Sequence, residues 1–550
     1  MSDRTGDPTT GLTLRQQIGQ LFMIGFSGTS APAAVLDLIQ TQQVGGIILF
    51  ARNLRDAPQT AALIHALQMA ARGAGQPAPL LIATDQENGI VRRLGAGATT
   101  FPGNMAQGAI ASERMTEALA RATGEELRAL GITMNLAPVV DVASNPANPV
   151  IGVRAFGGDP ALVARLGAAA VHGARKAGVV AVLKHFPGHG DTTTDSHLAL
   201  PVVPHDLARL EAMELAPFRR GIAAGAPVVM LAHLALPALT GSVTLPATLA
   251  PEVIQGLLRE RLGFDGVVMT DCLEMRAIGD TVGTAVGAVR ALGAGADLVL
   301  VSHRQDHQRA SLAAVRAALE QGALTRERVR VAAARVLRLK LRVCAWEDWG
   351  TWEASPEPER LRPLASAAHR RLAEVAYARA TTVVRDEARL LPLRLDTTRR
   401  VLVVTLAGGP VNQAAGEHRA VAAARALADA LARRALQVDL ISLPTRPNAA
   451  ARTELERAAR TADAIVLLTA NASRHVLPQA LLAALVAAGR PLAGVAMGDP
   501  YDAAALPQVG AWLATYEDTV PALEAAAAVL LGERPARGRL PVALRDGARP

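Results

Sequence analysis

Between residues 20 and 302 short runs of β-branched and other apolar residues recur along the chain, at 21–26, 45–50, 80–85, 133–140, 179–185, 228–233, 266–271 and 297–302. Such runs read as strands. Between most of them lie segments whose apolar positions repeat with a helical period, clearest at 59–72, 113–130, 161–177 and 251–262. Eight β-α alternations in about 300 residues predict an N-terminal (β/α)8 TIM-type barrel, whose inner layers are filled by Val, Ile and Leu. A doubly wound sheet is the alternative that the same alternation permits. Polar residues interrupt the pattern at one end of the strands: Asp85, Asp141, Lys184 with His185, His233 and Asp271. In a barrel this is the C-terminal face, where active sites are built. Any one of them reads equally well as a satisfied strand-end residue, but their agreement over five strands points to one site.

The pattern changes after Lys340. Residues 346–363 carry Trp346, Trp349, Trp352, Pro356, Pro358 and several acidic side chains, as an interdomain connection does. Strand-like runs then return at 381–384, 401–405, 437–442, 464–469, 492–497 and 512–515, separated by Ala/Arg-rich helical segments such as 419–434. This predicts a C-terminal three-layer α/β/α sandwich with a parallel sheet. The expected division is a barrel catalytic domain over 1–345, a linker over 346–375 and the sandwich domain over 376–550. The second domain shows no GxGxxG or Walker pattern, and Gly408-Gly409-Pro410 reads as a tight turn. No catalytic residue stands out there, so a scaffold bordering the site is expected.

Length and composition narrow the function. With 550 residues, half of them apolar, the chain can bury more than one core. Residues 1–11 are polar, and no run has the length and purity of a membrane-spanning helix, so a cytoplasmic location without a membrane partner is expected. Two cysteines, Cys272 and Cys344, are too few for a disulfide scaffold or a Cys-rich zinc site and fit a reducing compartment. A net charge of +8 with no Lys/Arg block argues against a nucleic-acid partner. The cations are almost all arginine, with three lysines at 176, 184 and 340. A lysine beside His185 therefore suggests that a compact ammonium is wanted there rather than a planar fork. All eight phenylalanines precede residue 265, whereas every Trp and Tyr lies beyond 345. A barrel without Trp or Tyr platforms suits a small substrate held by hydrogen bonds and charge.

The densest chemistry is Lys184-His185-Phe186-Pro187-Gly188-His189-Gly190-Asp191, continuing to Asp195-Ser196-His197. Pro187, Gly188 and Gly190 rule out a helix, so these groups sit on a loop leaving a buried strand, a usual place for catalysis. Asp195 can orient and charge-stabilise His197, giving a pair that donates or accepts a proton near neutral pH. Asp271 ends the apolar run 266–270 and suits a nucleophile. His185 and His189 are four apart, but Pro187 and Gly188 deny them the helical geometry of a metal-binding HExxH pair. His185, His189, His197, His233 and Asp271 could still assemble a metal site across loops, as in a metal-dependent TIM-barrel hydrolase.

This segment, with Leu200-Pro201, closely resembles the signature of family 3 glycoside hydrolases of the β-N-acetylglucosaminidase type. Agreement extends over the barrel: Gly45-Gly46 with Leu49-Phe50 and Arg52-Asn53, Asp85-Gln86-Glu87, Asn135 to Asp141, Asn148 to Gly152 with Arg154, Pro246 to Leu249, and Met269-Thr270-Asp271. The tail from Gly532 to Pro541 looks like the end of two-domain members. The resemblance implies a retaining exo-β-N-acetylglucosaminidase acting on small muropeptide-like or chitin-derived saccharides, without cofactor or metal. Asp271 would be the nucleophile and His197, paired with Asp195, the acid/base. Asp85, Arg93, Arg154, Lys184 and His185 match positions that bind the N-acetylglucosamine. A GlcNAc phosphorylase is the close alternative, because a neutral histidine repels an anionic acceptor less than a glutamate would. Three departures concern fine specificity: Cys272 replaces a second aspartate, Asn88 and Ile90 replace Gly and Arg, and Ala155 replaces a serine.

Overall fold

The computed structural model describes residues 6–346, 358–395, 399–407, 419–444, 447–474 and 479–544. Trp349, Trp352, Pro356, Gly408-Gly409-Pro410 and residues 1–5 of the polar N-terminal segment lie outside the described residues.

Eight strands close a parallel barrel in sequential order: β1 (Phe22–Ile24), β2 (Gly46–Ile48), β3 (Leu81–Thr84), β4 (Met134–Asn135), β5 (Val180–Phe186), β6 (Val228–Leu231), β7 (Val267–Cys272) and β8 (Leu298–Val301). β8 pairs back to β1 through Leu300 and Met23. Alternation along each strand sorts the side chains. Met23, Leu81, Ala83, Val228, Met230, Leu298 and Leu300 fill the interior, while Phe22, Ile24, Ile82, Val229 and Val299 face the helices. Val336 and Leu339 of helix Arg326–Val343 join the interior cluster and plug the N-terminal end. Polar chemistry is thereby confined to the C-terminal mouth. β4 is much shorter than the predicted 133–140, because Pro138 brings no N–H to a ladder; pairing resumes only as a bridge between Val139 and Lys184. The segment at 251–262 winds as a π-helix, Glu252–Arg261, rather than an α-helix.

The second sheet comprises β9 (Thr382–Arg385), β10 (Arg400–Ala407), β11 (Gln437–Pro444), β12 (Ala464–Thr469), β13 (Leu492–Ala496) and β14 (Ala511–Ala514), in the order β11-β10-β12-β13-β14-β9. Five strands are parallel, but β9 runs antiparallel to β14 at the edge, so the sheet is mixed rather than the expected parallel one. An antiparallel edge strand is a common addition to such sheets, and here it is fed directly by the helix arriving from the barrel. Helices Arg419–Ala432 and Val520–Leu530 cover one face, Ala449–Thr461 and Gln479–Ala487 the other, giving three layers.

The connection is docked on the barrel. Trp346 Nε1 donates to the Gln76 carbonyl (3.0 Å), and Leu361 and Leu364 pack on the barrel core. Helix Ala367–Ala380, which begins inside the expected linker, buries Ala373, Ala376 and Tyr377 against Phe101 and Leu119. Among the described residues no helix is long and apolar enough to cross a membrane.

Candidate active site

Lys184 leaves β5 into the barrel mouth with its side chain almost completely buried. Its Nζ donates to Asp85 Oδ1 and meets Glu87 Oε1, both at 2.8 Å. Arg154 grips Glu87 with two parallel hydrogen bonds, Nε to Oε2 (2.9 Å) and Nη2 to Oε1 (2.8 Å). One buried carboxylate thus joins the strand-5 ammonium to the guanidinium of the 148–154 loop. Burial pushes the Glu87 carboxyl up, but Arg154 and Lys184 outweigh it and hold it far below the glutamate range. Burial pushes Lys184 down, and Asp85 and Glu87 more than reverse this. Glu87, Arg154 and Lys184 are therefore charged at neutral pH. Arg93 Nη2 lies 4.0 Å from Asp85 Oδ2, on a loop braced by the Gln86 side chain, which accepts from the Arg93 and Leu94 backbone. Asn88 has φ +71°, in the left-handed region where glycine is expected and asparagine is tolerated; its Nδ2 donates to Thr123 Oγ1.

Next along β5, His185 Nδ1 lies 2.7 Å from Asp141 Oδ2, while its Nε2 stands 3.4 Å from Arg154 Nη2. Asp141 also accepts the backbone N–H of His185 and of His189 (2.7 Å), so it anchors both ends of the turn at Pro187. A side chain at Gly190 would drive into the Val142 carbonyl, which explains a glycine there. His189 is buried, and burial pulls its pKa down to about 4. The neutral ring is held by two hydroxyls, Thr192 Oγ1 at Nδ1 (2.7 Å) and Ser196 Oγ at Nε2 (3.0 Å). It therefore acts as a post for the following loop, whose other end is tied by His205 Nε2 to Asp191 Oδ2 (2.5 Å).

That loop presents His197. Its Nδ1 is 2.7 Å from Asp195 Oδ1, which also accepts the His197 backbone N–H at 2.9 Å. Asp195 is buried and His197 half-exposed. The hydrogen bond that His197 donates to Asp195 raises the imidazole pKa, outweighing burial, and the charge of Asp271 raises it further. Asp271 comes from β7, with Oδ1 accepting the Cys272 N–H (2.7 Å). Burial pushes its carboxyl up, but His233, His185 and His197 together bring it below the aspartate range. His233 is packed beneath, between Thr248 Oγ1 and the Cys272 carbonyl.

One pocket is lined by Asp85, Arg93, Arg154, Lys184, His185, His197 and Asp271. It encloses about 780 Å³ with its open mouth included, within the usual range for a small-molecule site. Asp195 lies behind His197. Glu87 was not singled out as a site residue from sequence. The spacing of Glu87, two beyond Asp85 on an extended segment, was the available signal; Asp141 stood out only as a strand-end carboxylate. The cross-loop metal set does not come together: among the described residues, only Cys272, Glu274 and His303 bring three potential ligand atoms within 4.8 Å of one another. The pocket thus sets the Asp271 carboxylate and the Asp195-paired His197 beside a wall of charged side chains.

Residues 13–339 match the glycosyl hydrolase family 3 N-terminal domain. The chain is 37% identical over 425 residues to Beta-hexosaminidase A of Pseudoalteromonas piscicida, covering 70% of this chain and 69% of that one. It superposes with TM-score 0.90 on a family 3 β-N-acetylglucosaminidase from Paenibacillus sp. str. FPU-7, at 42% identity, covering 98% of this chain and 100% of the other. A fungal multi-domain family 3 β-N-acetylglucosaminidase gives the same TM-score at 38% identity, and this chain, 98% covered, spans 61% of its length. The barrel, its charged mouth and these likenesses together place the chain in glycoside hydrolase family 3, among the two-domain β-N-acetylhexosaminidases.

Proposed function

We propose that this protein is a retaining exo-β-N-acetylglucosaminidase that removes terminal non-reducing β-linked GlcNAc from small saccharides, either muropeptide-like or chitin-derived. The observation that carries the reading is the presence, in one pocket but from different strands, of an ionised Asp271 and a His197 whose basicity is raised by Asp195. Asp271 attacks the anomeric carbon. The glycosidic bond breaks toward the aglycone oxygen, which takes a proton from His197, leaving a glycosyl ester on Asp271. The neutral His197 then removes a proton from water as that water attacks the same carbon, and Asp271 leaves as carboxylate. Two inversions give net retention.

Lys184, Asp85, Arg154, Arg93 and His185 serve the sugar hydroxyls and the acetamido group. The burial of Lys184, Arg154 and His185 favours an exo mode, because a wall of paired charges admits a terminal sugar and not a chain passing through.

A panel of aryl β-glycosides of GlcNAc, glucose and xylose, assayed with wild type and Asp271→Ala in buffers with and without phosphate, tests the reading. It expects GlcNAc to be released fastest and the variant to be inactive. Preference for glucose would overturn the specificity, full activity of Asp271→Ala the mechanism, and release of GlcNAc-1-phosphate would make phosphate rather than water the acceptor.

A further inference from the structure

We propose that Cys272, Glu274 and His303 form a site for a zinc-class divalent cation at the mouth of the sugar pocket, and that filling it shuts off hydrolysis. One sulfur, one nitrogen and one carboxylate oxygen from these residues lie within 4.8 Å of one another. Around a tetrahedral ion with bonds of about 2.0–2.3 Å, ligand atoms sit roughly 3.3–3.8 Å apart, so small side-chain rotations close the site. A mixed S, N, O set favours zinc-class ions over Mg²⁺ or Ca²⁺, and three protein ligands leave a fourth position for solvent.

The surroundings orient each ligand. Ser302 Oγ lies 2.9 Å from Cys272 Sγ. Glu274 is fixed by the backbone N–H of His303 to Oε2 (2.7 Å) and of Arg304 to Oε1 (2.8 Å), and His307 Nδ1 stands 3.4 Å from Oε1. The His303 ring stacks on Phe50 at 5.4 Å. Arg52 opposes a cation, with Nη2 at 3.3 Å from His303 Nδ1, which suits reversible occupancy rather than a permanent structural ion.

The consequence for hydrolysis is local. Cys272 follows Asp271 directly, and Cys272, Ser302 and His303 line the same pocket as Asp271 and His197. A dication there draws the charge of the attacking carboxylate and takes room the sugar needs. Cys272 is also where this chain departs from the aspartate its family resemblance would place beside the nucleophile.

The test titrates metal-free enzyme with Cd²⁺, read by the ultraviolet thiolate-to-cadmium charge-transfer band, and with Zn²⁺, read as inhibition of aryl β-GlcNAc hydrolysis relative to each protein's own metal-free rate. Wild type and Cys344→Ser are expected to show the band at one equivalent, and Cys272→Ser to lose it. The zinc inhibition constant should rise by at least about tenfold in Cys272→Ser and in His303→Asn. A band that survives Cys272→Ser, or equal inhibition constants in wild type and both variants, would overturn the proposal. The band reports on the site even if the substrate assignment is wrong.

Discussion

Glu87 carries two of the site's cations, Lys184 at 2.8 Å and Arg154 through two bonds, and each of the three side chains is less than a tenth exposed. Removing one partner of so buried a pair leaves uncompensated charge, and Glu87→Gln is expected to cost about 3–5 kcal/mol in urea unfolding. Glu87 is held below its unfolded value, so the stability it contributes is full above about pH 4.5 and is lost as pH falls through the depressed native value. At His197 the shift has the opposite sign. The imidazolium persists to higher pH than an ordinary histidine, so the alkaline limb of kcat/KM should lie above 6.5. Asp195→Asn removes the main raising contribution, and the limb should move to lower pH while the circular-dichroism spectrum is unchanged; an unmoved limb would detach Asp195 from the acid/base. Lysine at 184 was legible because this chain otherwise uses arginine, and a point charge shared between two carboxylates is what an ammonium provides. Glu87 was less legible, since its importance lies in partners far along the chain.

The loop from Asp191 to His205 is a second level of control. His189 holds its start through Thr192 and Ser196, and the His205–Asp191 pair closes its base, so His197 is displayed from a tethered loop. His205→Ala is expected to lower kcat/KM roughly ten- to hundredfold by misplacing the acid, with kcat carrying most of the loss and thermal stability little changed. Loss of stability without loss of kcat would make the pair merely structural. Pro187 and the flanking glycines made this segment readable as a loop. Its tethers were not readable, because hydroxyl-to-imidazole contacts depend on the folded path of the chain and not on spacing. Strand positions emerged well for the opposite reason: runs buried on both faces must be continuously apolar. Where that signal met Pro138, the predicted strand proved too long.

Across the whole molecule, the second domain braces the loops that hold the charged side chains of the pocket. Glu517, fully buried beyond β14, accepts the Gly103 N–H (2.8 Å), the Tyr377 hydroxyl (2.7 Å) and the Thr519 hydroxyl (2.7 Å). It sits against Gly89, whose φ of +58° and lack of a side chain permit the close approach. Asp499 stands against Gly152, two residues before Arg154, and pairs with Arg474, which also donates to the Pro146 carbonyl. Glu517→Ala would orphan buried donors at about 1–3 kcal/mol each and should raise KM more than it lowers kcat. A scaffold bordering the site was expected from sequence; its contacts were not, since Gly103 and Glu517 lie 414 residues apart. The central claim, that β7 and the β5 loop place nucleophile and acid/base in one pocket, is tested most directly by trapping the intermediate. A slow, activated fluorinated GlcNAc glycoside incubated with wild-type enzyme should add one sugar to the intact mass, mapping to the peptide that contains Asp271. Turnover of the probe with no adduct, or an adduct on any other residue, would contradict the account.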